Sequence, residues 1–205
     1  MDFFNQSVSD RVEGLMFKSL SSCYQHGKRS YGWIKVKKDY LSTTTENNSG
    51  IFLPDSLDLV VIGAFWGIGK RKGLFGSFLM AVRHNDTYQT VGKLGTGFTD
   101  VDLKDLTTSL QENTSDTKPK MYDIRKNATI PDVWFHPKQV WEVKATQLTL
   151  SKSYTAAMNH LNDDLDSGLS MRFPRFLKLR PDKNVFQATS SKEIFSMYTT
   201  SSSLL

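Results

Sequence analysis

Two lysines, Lys35 and Lys37, stand two positions apart in the run Trp33-Ile34-Lys35-Val36-Lys37. On a strand, side chains two apart point to the same side, so this pair would present two ammonium groups to one partner, as phosphate binding requires. Taken alone, an ordinary solvated basic strand is the simpler reading. A second group of cations, Lys70-Arg71-Lys72, sits in a loop with four glycines, Gly67, Gly69, Gly73 and Gly76. Arg172, Arg175 and Lys178 form a third. Cations spaced along a backbone suit a polyanion, because neutralising its phosphates releases counterions. Arg180, Asp182 and Lys183 read by themselves as a charged turn ending a strand. Phe173 alternates with Met171 as a buried face would, and Met16 is by type a packing residue. Glu13 is equally a helix-start or surface acid.

The single cysteine, Cys23, rules out an internal disulfide framework and any four-cysteine zinc module, so a reducing compartment is the natural setting. His26, His84, His136 and His160 are too far apart to pair as ligands on one helix or turn. The excess of 26 basic over 21 acidic side chains, a net +5, fits a polyanionic partner without demanding one. Met1 to Arg11 has no apolar core long enough for a signal peptide, and no run approaches the roughly 18 apolar residues of a membrane span. The expectation is a soluble, intracellular protein.

These groups need elements to hold them. Residues 1–41 hold only short apolar runs, Val12 to Leu20 and Trp33 to Val36, too little to close a core. Ser42 to Gly50 is polar and turn-forming and Pro54 discourages regular structure before Leu57, so residues 42–57 read as a linker. From Asp58 the pattern is that of strands: Leu59 to Phe65, Ser77 to Arg83 and Thr87 to Leu94. After Gly95-Thr96-Gly97, Thr99 is a helix N-cap with Asp102 at the N3 position, and Leu103, Leu106 and Leu110 recur at helical spacing. Val140 to Leu150 and Ser170 to Leu179 read as further strands, with Pro174 marking an edge or bulge. About five strands and one helix suit a small barrel, a mainly β fold of the oligonucleotide-binding kind, over residues 58–198, with a flexible tail at 199–205. Periodicity alone also permits a sandwich.

Three segments carry a family resemblance: Glu13-Gly-Leu-Met-Phe-Lys18, Trp33-Ile-Lys-Val-Lys-Lys-Asp-Tyr40 and Arg172-Phe-Pro-Arg-Phe-Leu-Lys-Leu-Arg-Pro-Asp-Lys183. They resemble, in order and spacing, the last three nucleotidyltransferase motifs of the ATP-dependent DNA ligases. Asp58 to Phe65, Gly92 to Thr99 and Val140 to Lys144 are similar to the barrel of the same enzymes, and the Lys93-Leu-Gly-Thr-Gly-Phe98 run to the eukaryotic DNA ligase I branch. The resemblance implies an α/β adenylation-domain remnant at 1–41 ahead of the barrel. It implies Glu13, Met16, Arg29, Lys35 and Lys37 as AMP or ATP ligands, with Glu13 also facing Mg2+. Arg180, Asp182 and Lys183 would orient the β and γ phosphates of ATP. Lys70, Arg71, Lys72, Arg172, Phe173 and Arg175 would bind nicked duplex DNA, Phe173 as a minor-groove wedge. A monomer acting in the nucleus in replication and repair is the implied setting.

The family's covalent step needs a Lys-x-Asp/Asn-Gly motif, and no such tetrapeptide occurs here. With the nucleophilic lysine absent, this chain by itself is not expected to form lysyl-AMP. Two other readings compete. An mRNA capping guanylyltransferase shares the Arg-x-Asp-Lys ending but lacks the Lys93–Phe98 and Arg172–Phe176 runs. A non-catalytic barrel could stack single-stranded nucleic acid on Phe65, Trp66, Phe75 and Phe78.

Overall fold

The computed structural model describes Phe3, Gln6, Val12 and residues 14–28, 30–37, 56–161 and 166–203. The chain divides into two compact units, residues 1–50 and 51–205. The division falls within 42–57, of which 42–55 lie outside the described residues.

In the first unit, β1 (Gly14–Lys18) and β2 (Trp33–Lys37) pair antiparallel. The Ser19 N–H donates to the Gly32 carbonyl at 2.7 Å beyond the last pair. Two strands alone bury little. Met16, Phe17, Trp33 and Ile34 all stay exposed.

The second unit is mainly β. A meander of β3 (Leu57–Trp66), β4 (Phe75–His84) and β5 (Thr87–Leu94) leads to helix α1 (Asp100–Gln111). Three short strands follow, β6 (Thr114–Ser115), β7 (Tyr122–Asp123) and β8 (Val133–Phe135). Then β9 (Val140–Lys144) returns to pair with β3, β10 (Gln147–Ser151) and β11 (Gly168–Arg172) form a separate hairpin, and β12 (Arg175–Leu179) pairs with β9. The order across the main sheet is β12-β9-β3-β4-β5-β7. The sheet curls so that β12 meets the end of β5, where the Phe176 N–H donates to the Thr96 carbonyl at 2.9 Å. A helix placed after a three-stranded meander, with β9 added beside β3 and β12 beside β9, is the expected barrel plan.

The strand β3 is buried on both faces, and its parity explains why there are two cores. Leu57, Leu59 and Val61 enter one cluster, Val60 and Ile62 the other. A bulge against β4 between Val61 and Gly63 then reverses the alternation, so Ala64 joins the first cluster and Phe65 the second. The larger core is aromatic. Trp141 is fully buried, with Phe78 at 4.7 Å, Phe176 at 5.3 Å and Phe98 at 5.9 Å between ring centres.

α1 is held as its sequence predicts. The Thr99 hydroxyl accepts from the Asp102 N–H at 3.1 Å and the Asp102 carboxylate accepts from the Thr99 N–H at 2.7 Å. Leu103, Leu106 and Leu110 face the core. Thr99→Ala is expected to cost about 1 kcal/mol, the usual loss of an N-cap hydroxyl, read by urea denaturation.

Three expectations need correcting. The strand count is exceeded, because residues 113–139 add short pairs rather than a plain loop. A second helix, α2 (Ser191–Ser203), runs where a tail was expected from 199. Ser190 and Glu193 exchange hydrogen bonds at its start, and Ile194 is buried against the larger core. Finally, neither Val140 to Leu150 nor Ser170 to Leu179 is one strand: the first divides into β9 and β10 and the second breaks at Phe173-Pro174 into β11 and β12, in each case strands of two different sheets.

Candidate functional site

The three residues of the proposed triphosphate clamp come together at the end of β12, and each is already engaged. The Arg180 Nε and Nη2 donate to the Asp182 carboxylate at 2.9 and 2.7 Å, and its Nη1 to Asp58 Oδ1 at 2.9 Å. The Lys183 ammonium donates to the other Asp58 oxygen at 2.5 Å. Glu142 of β9 lies 3.7 Å from Arg180 and 3.4 Å from Lys178. Lys178, Arg180 and Lys183 are thus matched by Asp58, Glu142 and Asp182, three charges against three.

Asp58 and Glu142 were missed by motif reading, although both stand inside segments that carried the resemblance. An acid on a barrel strand gives no sign of the cation it meets. Arg180 finds Asp58 across 122 positions of chain.

The charge states follow from these contacts. The Arg180 guanidinium's hydrogen bonds pull the Asp182 carboxyl down to about 2, and Asp182 in turn raises the guanidinium. The Ser56 hydroxyl, donating at 2.6 Å, holds Glu142 below the usual carboxylate range, with Lys178 and Arg180 adding to it. A depressed carboxyl contributes stability above its ordinary value and loses it only as pH falls through the depressed one. Asp182 and Glu142 therefore stay charged throughout the neutral range.

Arg172, Phe173 and Arg175 share the turn between β11 and β12. Phe173 is 55% exposed, which overturns the buried reading its alternation with Met171 suggested. Its φ is +49°, a left-handed value that aromatic residues adopt only when neighbours impose it. This turns the ring out of the alternation. The Arg172 guanidinium carbon lies 5.0 Å from the ring centre. Lys70 and Arg71 belong to a 3-10 turn, Gly69–Arg71, within a loop closed by Gly67 N–H to Leu74 carbonyl at 2.8 Å; Lys70 and Lys72 are exposed and Arg71 half-buried.

In the first unit, Met16 and Lys35 are direct cross-strand partners, so both project from one face of the hairpin. Met16 is 47% exposed. The Lys37 backbone pairs with Gly14. The Lys18 ammonium sits 4.3 Å from the centre of the Trp33 ring. Glu13 and Arg29 lie outside the described residues.

The aromatic platform needed by a single-strand-binding barrel is not assembled. Phe75 and Phe78 are fully buried, and Phe65 is covered by the Lys93 ammonium at 3.7 Å from its ring centre. Trp66 alone of the four is substantially exposed, at 44%. Among the described residues no group of three or more His, Cys, Asp or Glu could hold a metal ion.

Comparison with known proteins gives a consistent picture. A family model described as ATP dependent DNA ligase C terminal region matches residues 71–183, and one described as ATP dependent DNA ligase domain matches residues 1–37. The chain is 42% identical over 200 residues to DNA ligase 1 of Dictyostelium discoideum, covering 96% of this chain and 16% of that protein. It is 43% identical over 200 residues to DNA ligase 1 of Arabidopsis thaliana, covering 96% and 24%. To the DNA ligase of Sulfurisphaera tokodaii it is 41% identical over 202 residues, covering 97% and 31%. The chain thus spans between 16% and 31% of the length of these relatives. Among solved structures, the ligase domain of LigD from M. tuberculosis aligns with a TM-score of 0.49 at 22% identity, covering 91% of this chain and 50% of that one.

Proposed function

The chain belongs to the ATP-dependent DNA ligase family, and from that premise we propose that it serves an enzyme sealing nicks in duplex DNA, contributing nucleotide-phosphate contacts and the DNA-binding barrel. Such sealing proceeds by transfer of AMP from ATP to a lysine, transfer to the 5′ phosphate at the nick, and attack by the 3′ hydroxyl. Met16, Lys35 and Lys37, with Glu13 and Arg29, are the proposed AMP-facing set. Glu13 is the proposed protein ligand to Mg2+, whose remaining ligands would be water and phosphate oxygens. Arg180 and Lys183 take the β and γ phosphates, leaving Asp58 to do so, while Asp182 keeps the guanidinium oriented. Lys70, Arg71, Lys72, Arg172 and Arg175 meet DNA phosphates, and Phe173 presses beside the nick. A monomer acting in the nucleus, in replication and repair, completes the proposal.

The observation that carries this reading is the turn that presents exposed Phe173 between Arg172 and Arg175. A wedge flanked by cations suits a duplex opened at a break. The test is fluorescence anisotropy with a 5′-phosphorylated nicked duplex, the intact duplex and a single strand. Affinity is expected in that order and to fall steeply with salt. Preference for the single strand would hand the function to a stacking module. Incubation with labelled ATP and magnesium is a separate arm: no acid-labile AMP adduct is expected on this polypeptide. An adduct would disprove the absence of the nucleophile.

A further inference from the structure

We propose that Thr96 and Thr146 are positioning residues that set Phe173 in its outward, left-handed conformation before DNA arrives, so that the wedge is built into the free protein. The inference rests on the reading of Phe173 as a DNA wedge and names what holds it.

The turn is gripped from both sides. At its start the Arg172 carbonyl accepts two hydrogen bonds from Thr146, from the N–H at 3.0 Å and from the hydroxyl at 3.1 Å. At its end the Thr96 hydroxyl donates to the Pro174 carbonyl at 2.7 Å, and the Thr96 carbonyl accepts from the Phe176 N–H at 2.9 Å. Gly97 lets the two segments approach this closely. A Cβ there would lie 2.4 Å from the Phe176 carbonyl oxygen, and its φ of +97° is itself unfavourable to any side chain. Phe98 then stacks on Phe176, 4.6 Å between centres at 21°.

The backbone groups held in this turn flank Phe173 by one to three residues. A left-handed phenylalanine persists only where its surroundings over-determine it, and such strain gathers at ligand-contacting positions. Four hydrogen bonds and one ring stack supply that constraint. A wedge that is already ordered loses less freedom on binding than one that must be ordered by DNA. The Lys93–Phe98 run thereby acquires a role as the anvil against which the Arg172–Phe176 turn is shaped.

The test uses the double variant Thr96→Val/Thr146→Val, which keeps β-branched side chains while removing both hydroxyl donors, beside Thr96→Ser/Thr146→Ser, which keeps the donors. Affinities for nicked and intact duplex are measured by anisotropy, and unstacking at the nick by fluorescence of a 2-aminopurine placed beside it. The valine pair is expected to lose roughly ten-fold of the nicked-over-intact preference, the scale of two neutral hydrogen bonds, together with most of the 2-aminopurine rise. Intact-duplex affinity and its salt slope should not change, and the serine pair should restore both signals. Wild-type preference and fluorescence in the valine pair would overturn the proposal alone. Equal losses on nicked and intact duplex would overturn it as well, because the threonines would then support binding in general. If the parent chain itself shows no nick preference and no fluorescence rise, the wedge reading fails and takes this inference with it.

Discussion

Replacing Trp141 with alanine is expected to lower the stability of the 51–205 unit by about 4 kcal/mol, the upper range for truncating a fully buried aromatic. The indole is completely buried and meets three rings, those of Phe78, Phe98 and Phe176. Collapse around the void is hindered because these partners come from β4, the segment after β5, and β12, so no single element can move in to fill it. The indole N–H also donates to Gln139 Oε1 at 3.0 Å, and that acceptor would need a new donor. For a unit of this size the loss corresponds to a fall in Tm of roughly 10–15 °C. Calorimetry or a thermal melt followed by circular dichroism reads it. A loss below about 1.5 kcal/mol would mean the aromatic cluster is not the unit's structural centre. Phe176 belongs both to this cluster and to the turn that carries Phe173, so the variant should also loosen the Arg172–Phe176 turn.

Reversing charge at Lys70, Arg71 and Lys72 together is expected to weaken duplex binding by roughly 30- to 100-fold at low salt and to flatten the log–log salt dependence by about two to three units. Each phosphate contact releases close to one counterion, so a slope counts contacts where an affinity alone does not. Lys70 and Lys72 point outward, whereas Arg71 is half-buried and should contribute the least. The substitutions lie in a surface loop with no residue buried in its 3-10 turn, so folding should be spared. Titrations across a salt series check both numbers. An unchanged slope would remove this loop from the DNA-binding surface while leaving the Arg172–Arg175 turn untouched.

Much of the fold is legible because it is encoded locally. The Thr99 and Asp102 side chains announce the start of α1 three residues apart, and both bonds form as their types require. The valine- and isoleucine-rich run Leu59 to Phe65 and the runs Ser77 to Arg83 and Thr87 to Leu94 match β3, β4 and β5 to within a few residues. α2 was equally readable from Ser190 and Glu193, which carry the same signature, but a polar, serine-rich ending obscured it.

By itself the sequence determined the family, the opening meander with the helix after it and the chemical types at the site, since motif spacing and capping are properties of neighbours in the chain. Tertiary structure alone decided what those residues meet. Arg180 and Lys183 could be named as cations, but that they rest on Asp58, with Glu142 close by, depends on β3, β9 and β12 lying side by side. Phe173 read as core because alternation assumes an unbroken strand. The positive φ at that residue and the divergence of β11 and β12 into different sheets turn it to solvent. Periodicity reports on residues that share one regular backbone, and the surface turn, the bulge in β3 and the ion cluster arise where that regularity ends.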